Sequence, residues 1–274
     1  MVDAYGRVLR TAAVVAAGAL LATGCSSGGG GGDGKPPRST PTSSGTAASG
    51  TPSATAAPTA PDFTPDPKRV PRTEAAAQRL ALAVVAGPDD WGPEYVKRSP
   101  YVSEPGSWPV LDTSCEWEAG TLPRSVLYSV TAYSEIPASG GKGPLRVAAT
   151  VTVHGAESDA DWEMAETLEE ALRCPDQQLR EGERITGLMS LGTPYGTGGN
   201  NTTTDSLIER GSYLNDAFKG PQFYSWFQTR TAQVTVAAVV KGAPGYTEAE
   251  TNAAQVRAAV IMQDRLKKQL GAQS

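Results

Sequence analysis

Histidine occurs once in these 274 residues and cysteine three times, and no run of lysine and arginine exceeds two residues. The single histidine, His154, restricts acid–base chemistry. Any Ser-His-Asp or Cys-His arrangement has to use it, and no serine of residues 73–274 sits in a G-x-S-x-G elbow. Two distant cysteines with one histidine do not supply the usual ligand set of zinc, so neither a metal nor any other cofactor is expected. Basic residues are scarcest after position 72, where 25 acidic side chains stand against 17 basic ones, a net charge of −8. An acidic domain without a basic stripe is not expected to bind nucleic acid. Long apolar runs are missing too. Thr11 to Thr23 is free of charge but only about 13 residues long, whereas a membrane-spanning helix needs about 20.

Arg7 and Arg10 precede that stretch, which makes residues 1–24 read as a signal peptide. It closes on Leu21-Ala22-Thr23-Gly24-Cys25, which resembles a bacterial lipobox. The resemblance implies that the Cys25 sulfur receives diacylglycerol, that the signal is removed, and that Cys25 becomes the mature N-terminus. Two acyl chains anchor a protein stably where one does so marginally. The expected location is therefore the outer face of the cell membrane, in the cell envelope, with the membrane as a partner through the lipid. From Ser26 to Arg72, 37 of 47 residues are Gly, Ser, Thr, Pro or Ala. Such a composition cannot bury enough surface to offset its ordering entropy, so residues 25–72 read as a disordered tether. Fully extended it reaches roughly 150 Å, and as a random coil about 40 Å.

Residues 73–274 are enough for one well-buried domain. With Cys25 lipidated, Cys115 and Cys174 remain as an even pair in an oxidising compartment, and they are expected to be bonded. Closing a loop of about 60 residues stabilises by roughly 4 kcal/mol in the chain-entropy model.

Periodicity divides the domain. Ala76, Leu80 and Ala83 mark a helix from Thr73 to Gly87-Pro88. Residues 89–120 read as turns carrying Trp91, Trp108 and Trp117. Arg124–Ile136 and Leu145–His154 read as two strands joined by the turn PASGGKG. A helix follows over Ser158–Arg173, with Trp162, Ala165, Leu168 and Leu172 on one face. Strands are expected near Arg184–Leu191, Asp205–Leu214, Gln222–Arg230 and Gln233–Lys241. Thr247-Glu248-Ala249-Glu250 reads as a capping box opening a last helix with the stripe Val256, Ala259, Met262, Leu266 and Leu270. The expected class is α+β: an antiparallel sheet of five or six strands with helices packed mainly on one face.

Few residues announce chemistry, and no catalytic residue is assigned. Glu116 and Glu118 would share a face of a strand, but a carboxylate hydrolase needs two such groups across a cleft. The run SDADWEMAE lacks the glycine turn of a calcium loop. Leu191 to Thr204 is glycine-rich without the G-K-[ST] of a phosphate loop. The stretch QFYSWFQ, Gln222 to Gln228, is more telling: on a strand, Phe223 and Phe227 face one side and Tyr224 and Trp226 the other. In a one-sided sheet that second pair is either covered by another part of the chain or lines a groove. The candidate ligand-binding residues are Tyr224, Trp226, Tyr195 and Trp108.

The segment FYSWFQTRTAQVTVAAVVKGAPG and the Thr247–Leu270 helix resemble the extracellular sensor domain of actinobacterial transmembrane Ser/Thr kinases and related lipoproteins. The likeness covers about 50 residues. It implies an α/β structure with disulfides and a cleft for an unidentified ligand. This chain has one candidate bridge where that family has more, and it carries no kinase. The expected function is a non-enzymatic ligand-binding or sensor-like domain acting on a small envelope ligand. The alternatives are a scaffold that presents a surface to another envelope protein and a carboxylate-based envelope hydrolase.

Overall fold

Residues 63–271 are described by the computed structural model; the signal segment, Cys25 and most of the tether lie outside the described residues. The chain runs through α1 (Glu74–Val84), α2 (Pro88–Trp91), β1 (Val96–Val102), β2 (Ser107–Leu111), β3 (Trp117–Thr121), β4 (Val126–Ile136) and β5 (Leu145–His154). It continues through α3 (Glu157–Arg173), β6 (Gln177–Arg180), β7 (Glu183–Gly192), β8 (Asp205–Asn215), β9 (Gln222–Thr231), β10 (Val234–Lys241) and α4 (Glu248–Leu270). Local chemistry sets the helix starts. Thr73 accepts from the Ala76 N–H at α1, and Thr247 and Glu250 close a reciprocal capping box at α4.

Eight strands form one antiparallel sheet in the order β1-β4-β5-β10-β9-β8-β7-β6, and β2–β3 is a separate hairpin. The sheet is therefore larger than the five or six strands expected. The two additions, β1 and β6, are its edges. β1 (VKRSPYV) carries charges and a proline and has no buried residue, and β6 is four residues long; neither shows the alternation that marks a half-buried strand.

The sheet curls strongly. Arg146 on β5 donates to Glu183 on β7 at 2.8 Å, although three strands lie between them. In a flat sheet those strands would stand about 19 Å apart, beyond the joint reach of the two side chains. The β2–β3 hairpin spans from one edge to the other. It follows β1 in the chain and docks on β6, where the Gln178 N–H donates to the Cys115 carbonyl at 2.9 Å. Cys115 and Cys174 are bonded, and Arg173 donates to the Asp112 carbonyl beside them.

Pairing registers separate the two faces of the sheet. On the convex face Val234, Val236, Ala238 and Val240 align with Val147 to Val153 beneath Ala77, Leu80, Val84, Ala258, Met262 and Leu266. This is the main core, covered by α1, α2 and α4. On the concave face Ile185, Leu188, Tyr213, Tyr224 and Val239 pack with Ala171 of α3. Three helices thus lie on the convex face, as expected of helices packed mainly on one side, and α3 covers part of the other. The contact side of α3 also differs from the expected stripe: Trp162 and Leu172 are 67% and 83% exposed, while Ala160, Met164 and Ala171 are buried. Polar partners on the sheet and small side chains select this side, with Leu168 resting on Gly192. Val256, expected in the α4 stripe, is exposed, and Thr251, Ala254, Gln255 and Ala258 take part in the contact instead. In α1 the buried side is Ala77, Leu80, Ala81 and Val84, with Ala83 exposed.

Candidate functional site in the concave face

Burial along β4 and β5 shows how α3 divides the concave face. Thr152 and His154, near the end of β5, are buried, whereas Arg146, Ala148 and Thr150 earlier in the strand are half-exposed. Their β4 partners Thr131, Tyr133 and Glu135 are half-exposed as well. One end of the face is thus sealed beneath α3. The other is open and lined by hydroxyls, aromatic rings and charges.

The sealed end holds a polar network. His154 Nε2 and Glu163 Oε2 are 2.5 Å apart, the Thr235 hydroxyl donates to the same Glu163 oxygen at 2.8 Å, and Gln228 Nε2 donates to Oε1 at 2.9 Å. Gln228 in turn accepts from Trp226 Nε1 at 3.1 Å. Thr235 binds the carboxylate and not the imidazole, so this trio has no hydroxyl on histidine to act as a nucleophile. Further along, Glu209 on β8 lies in the cross-strand row Val239–Trp226–Glu209–Ser190. Burial pushes its carboxyl up to about 8; Ser190 relieves this in part without completing a hydrogen bond, and repulsion from Glu170 adds to it. Glu170 on α3 is itself raised to about 7 by burial and then by Glu166.

Charges from six strands meet at the open end. Glu183 accepts from Arg146, from Arg180, from Lys241 at 3.2 Å and from Asn215 at 3.1 Å. Burial opposes its ionisation, but Arg180 and Lys241 outweigh that and hold the carboxyl at about 2. Lys241, over the Tyr213 ring, is lowered by burial, which Glu183 offsets only in part. Arg98 on β1 lies over the Tyr133 ring at 5.9 Å and forms no ion pair among the described residues. Its charge is disfavoured by burial, then by Arg146 and Arg180. Beside Arg146 opens a groove of about 480 Å³, with Lys142, Asn215, Phe218, Pro144 and Pro244 in its walls.

Tyr224 and Trp226 do share the concave face, as their alternation requires. Tyr224 is buried against Ala171, Ile185 and Tyr213, and Trp226 is half-exposed. The cover over Tyr224 is α3. Tyr195 lies in the loop between β7 and β8, its N–H bonded to Thr204, and Trp108 lies on β2 opposite Gly120. Neither belongs to the cluster around Tyr224. Glu116 and Glu118 are exposed at the β2–β3 hairpin. The open-end charges are not legible as a motif, because they come from six separate strands. Their one sequence signal is a cation inside a Val/Ala-rich strand: Arg146 in LRVAATV and Lys241 closing VTVAAVVK.

The chain matches no protein-family model, no curated protein and no solved structure.

Proposed function

We propose that this chain is a lipid-anchored cell-envelope protein whose extracytoplasmic domain binds a small ligand, without enzymatic activity, at the open end of the concave face. The observation that carries this reading is the half-exposed lining of that face, Thr131, Tyr133, Thr150, Arg146 and Trp226, continuing into the groove beside Phe218. Ligand sites join a mostly apolar concave wall to a few convergent polar groups, and this end of the sheet offers both. The tether composition and the Cys25 motif support a domain held away from the membrane on the outer face.

Native mass spectrometry of the full chain, exported by a bacterial host and extracted in mild detergent, tests the reading. A mass excess that disappears on denaturation is the expected result. A bare mass, persisting after incubation with envelope extract, overturns it. Cys25→Ser tests the anchor separately, and the variant is expected to leave the membrane fraction.

One observation favours a second reading, a scaffold for another envelope protein. Met189 and Leu191 of β7 lie in rows that start beneath α4, yet are 73% and 65% exposed. Val256 and Val260 of α4 are exposed on the same side of the sheet. A bare native mass together with capture of an envelope protein, abolished by Leu191→Asp, would establish that reading instead.

A further inference from the structure

The ligand's chemistry follows from the charge balance at the open end, an inference that rests on the binding reading above. Four cations, Arg98, Arg146, Arg180 and Lys241, converge there on two carboxylates, Glu135 and Glu183. This excess of positive charge arises in a chain whose net charge is −5. Three of the cations share the single carboxylate of Glu183. Arg98, the fourth, lies over the Tyr133 ring and has no carboxylate of its own among the described residues. Arg146 Nε is buried and makes no hydrogen bond among the described residues; a Glu135 carboxylate oxygen stands 4.0 Å from it. A buried donor of this kind is ordinarily satisfied, and a guanidinium presents its N–H groups in a fork that fits phosphate and carboxylate oxygens. The groove that begins at Arg146 continues over Pro144, Phe218 and Pro244. Its cationic end suits an anionic head, and its apolar walls suit an aromatic or aliphatic body.

We infer that the domain binds a small amphiphilic anion, with a phosphate or carboxylate group on Arg146 and Arg98 and an apolar body in the groove over Phe218. A lipid headgroup and a free organic acid or phosphate share this chemistry.

Phenyl phosphate is a probe with both parts. Titration calorimetry of the full chain in neutral detergent, with ionic strength held constant by sodium chloride, is expected to show saturable binding, weakened at least tenfold by Arg98→Gln. Arg98 forms no ion pair among the described residues, so this variant keeps the Glu183 network that Arg146→Gln would disturb. Lys68→Gln, in the segment before α1 and beside Gln269 of α4, is expected to leave the affinity unchanged. Competition by dihexanoyl phosphatidate identifies a lipid head as the natural form; competition by benzoate without phosphatidate identifies a free acid; either supports the inference. Absence of saturable binding overturns it, as does an affinity that Arg98→Gln leaves intact. A neutral molecule retained in the native mass spectrum overturns this inference while the binding reading stands. A bare mass with no phenyl phosphate binding overturns both.

Discussion

Arg146 on β5 and Glu183 on β7 meet at 2.8 Å across three intervening strands, which ties the curl of the sheet to one ion pair. Glu183 is 5% exposed at its side chain and also holds Arg180 and Lys241. Removing its charge leaves three cations without their shared partner, and breaking a buried ion pair from one side costs about 3–5 kcal/mol. Glu183→Gln is expected to lower the unfolding free energy by about that amount in urea titration at pH 7. Glu135→Gln, at 4.0 Å from Arg146 and more exposed, is expected to cost under about 1 kcal/mol.

The same group sets the acid side of the stability profile. Its carboxyl titrates at about 2 in the folded chain against 4.5 in the unfolded one, so its contribution is complete above pH 4.5 and is lost as the pH falls toward 2. Glu209 and Glu170 act on the other side. Folded values of about 8 and about 7 mean that the native state holds protons the unfolded state releases. Their effect is to reduce stability progressively as the pH rises from 4.5 to about 8. Urea midpoints measured from pH 3 to 9 are expected to peak near pH 5. Glu209→Gln should flatten the alkaline limb, and an alkaline limb of unchanged slope in that variant would contradict this assignment.

How the concave face is built explains what the sequence could disclose. Strands β4, β5, β9 and β10 announce themselves through β-branched alternation, and the sides assigned to Phe223, Tyr224, Trp226 and Phe227 are those observed. The capping box at Thr247 is likewise local chemistry, readable from four residues. By contrast, α3 takes its orientation from long-range partners. Glu163 faces the sheet because His154, Thr235 and Gln228 await it there, which forces Trp162 outward against its hydrophobicity. The charged end of the face is less visible still. Arg98, Arg146, Glu183 and Lys241 become neighbours only once eight strands pair and curl, and no local spacing encodes that.

The bond between Cys115 and Cys174 couples the β2–β3 hairpin to the end of α3. With its ends 59 positions apart, the chain-entropy model assigns it about 4 kcal/mol. The double variant Cys115→Ser/Cys174→Ser is expected to lose stability of that order. The hairpin also contacts β6 through Trp117, whose Nε1 donates to Gln177 at 2.8 Å. Hydrogen exchange should therefore quicken first in residues 107–121 and β6, with the α1–α4 core unaffected.

Gly242 ends β10 immediately after Lys241, and its N–H donates to the Phe223 carbonyl at 2.7 Å. A Cβ at this position would lie 2.7 Å from the Phe223 carbonyl oxygen and 2.9 Å from its nitrogen. Both are backbone atoms of β9, so no side-chain rotation relieves the clash and the two strands have to separate. The neighbouring row pairs Lys241 with Tyr224, which places the disturbance at the open end of the concave face. Gly242→Ala is expected to destabilise by about 1–3 kcal/mol, the range for overpacking a closed site. Its effect should extend to the Lys241–Glu183 contact, because β10 carries Lys241 one residue before the clash. Amide exchange is the measurement that locates it: Phe223 to Ser225 and Val239 to Lys241 should lose protection together. If Gly242→Ala keeps wild-type stability and protection there, the close approach of β9 and β10 at this end is not a constraint on the fold.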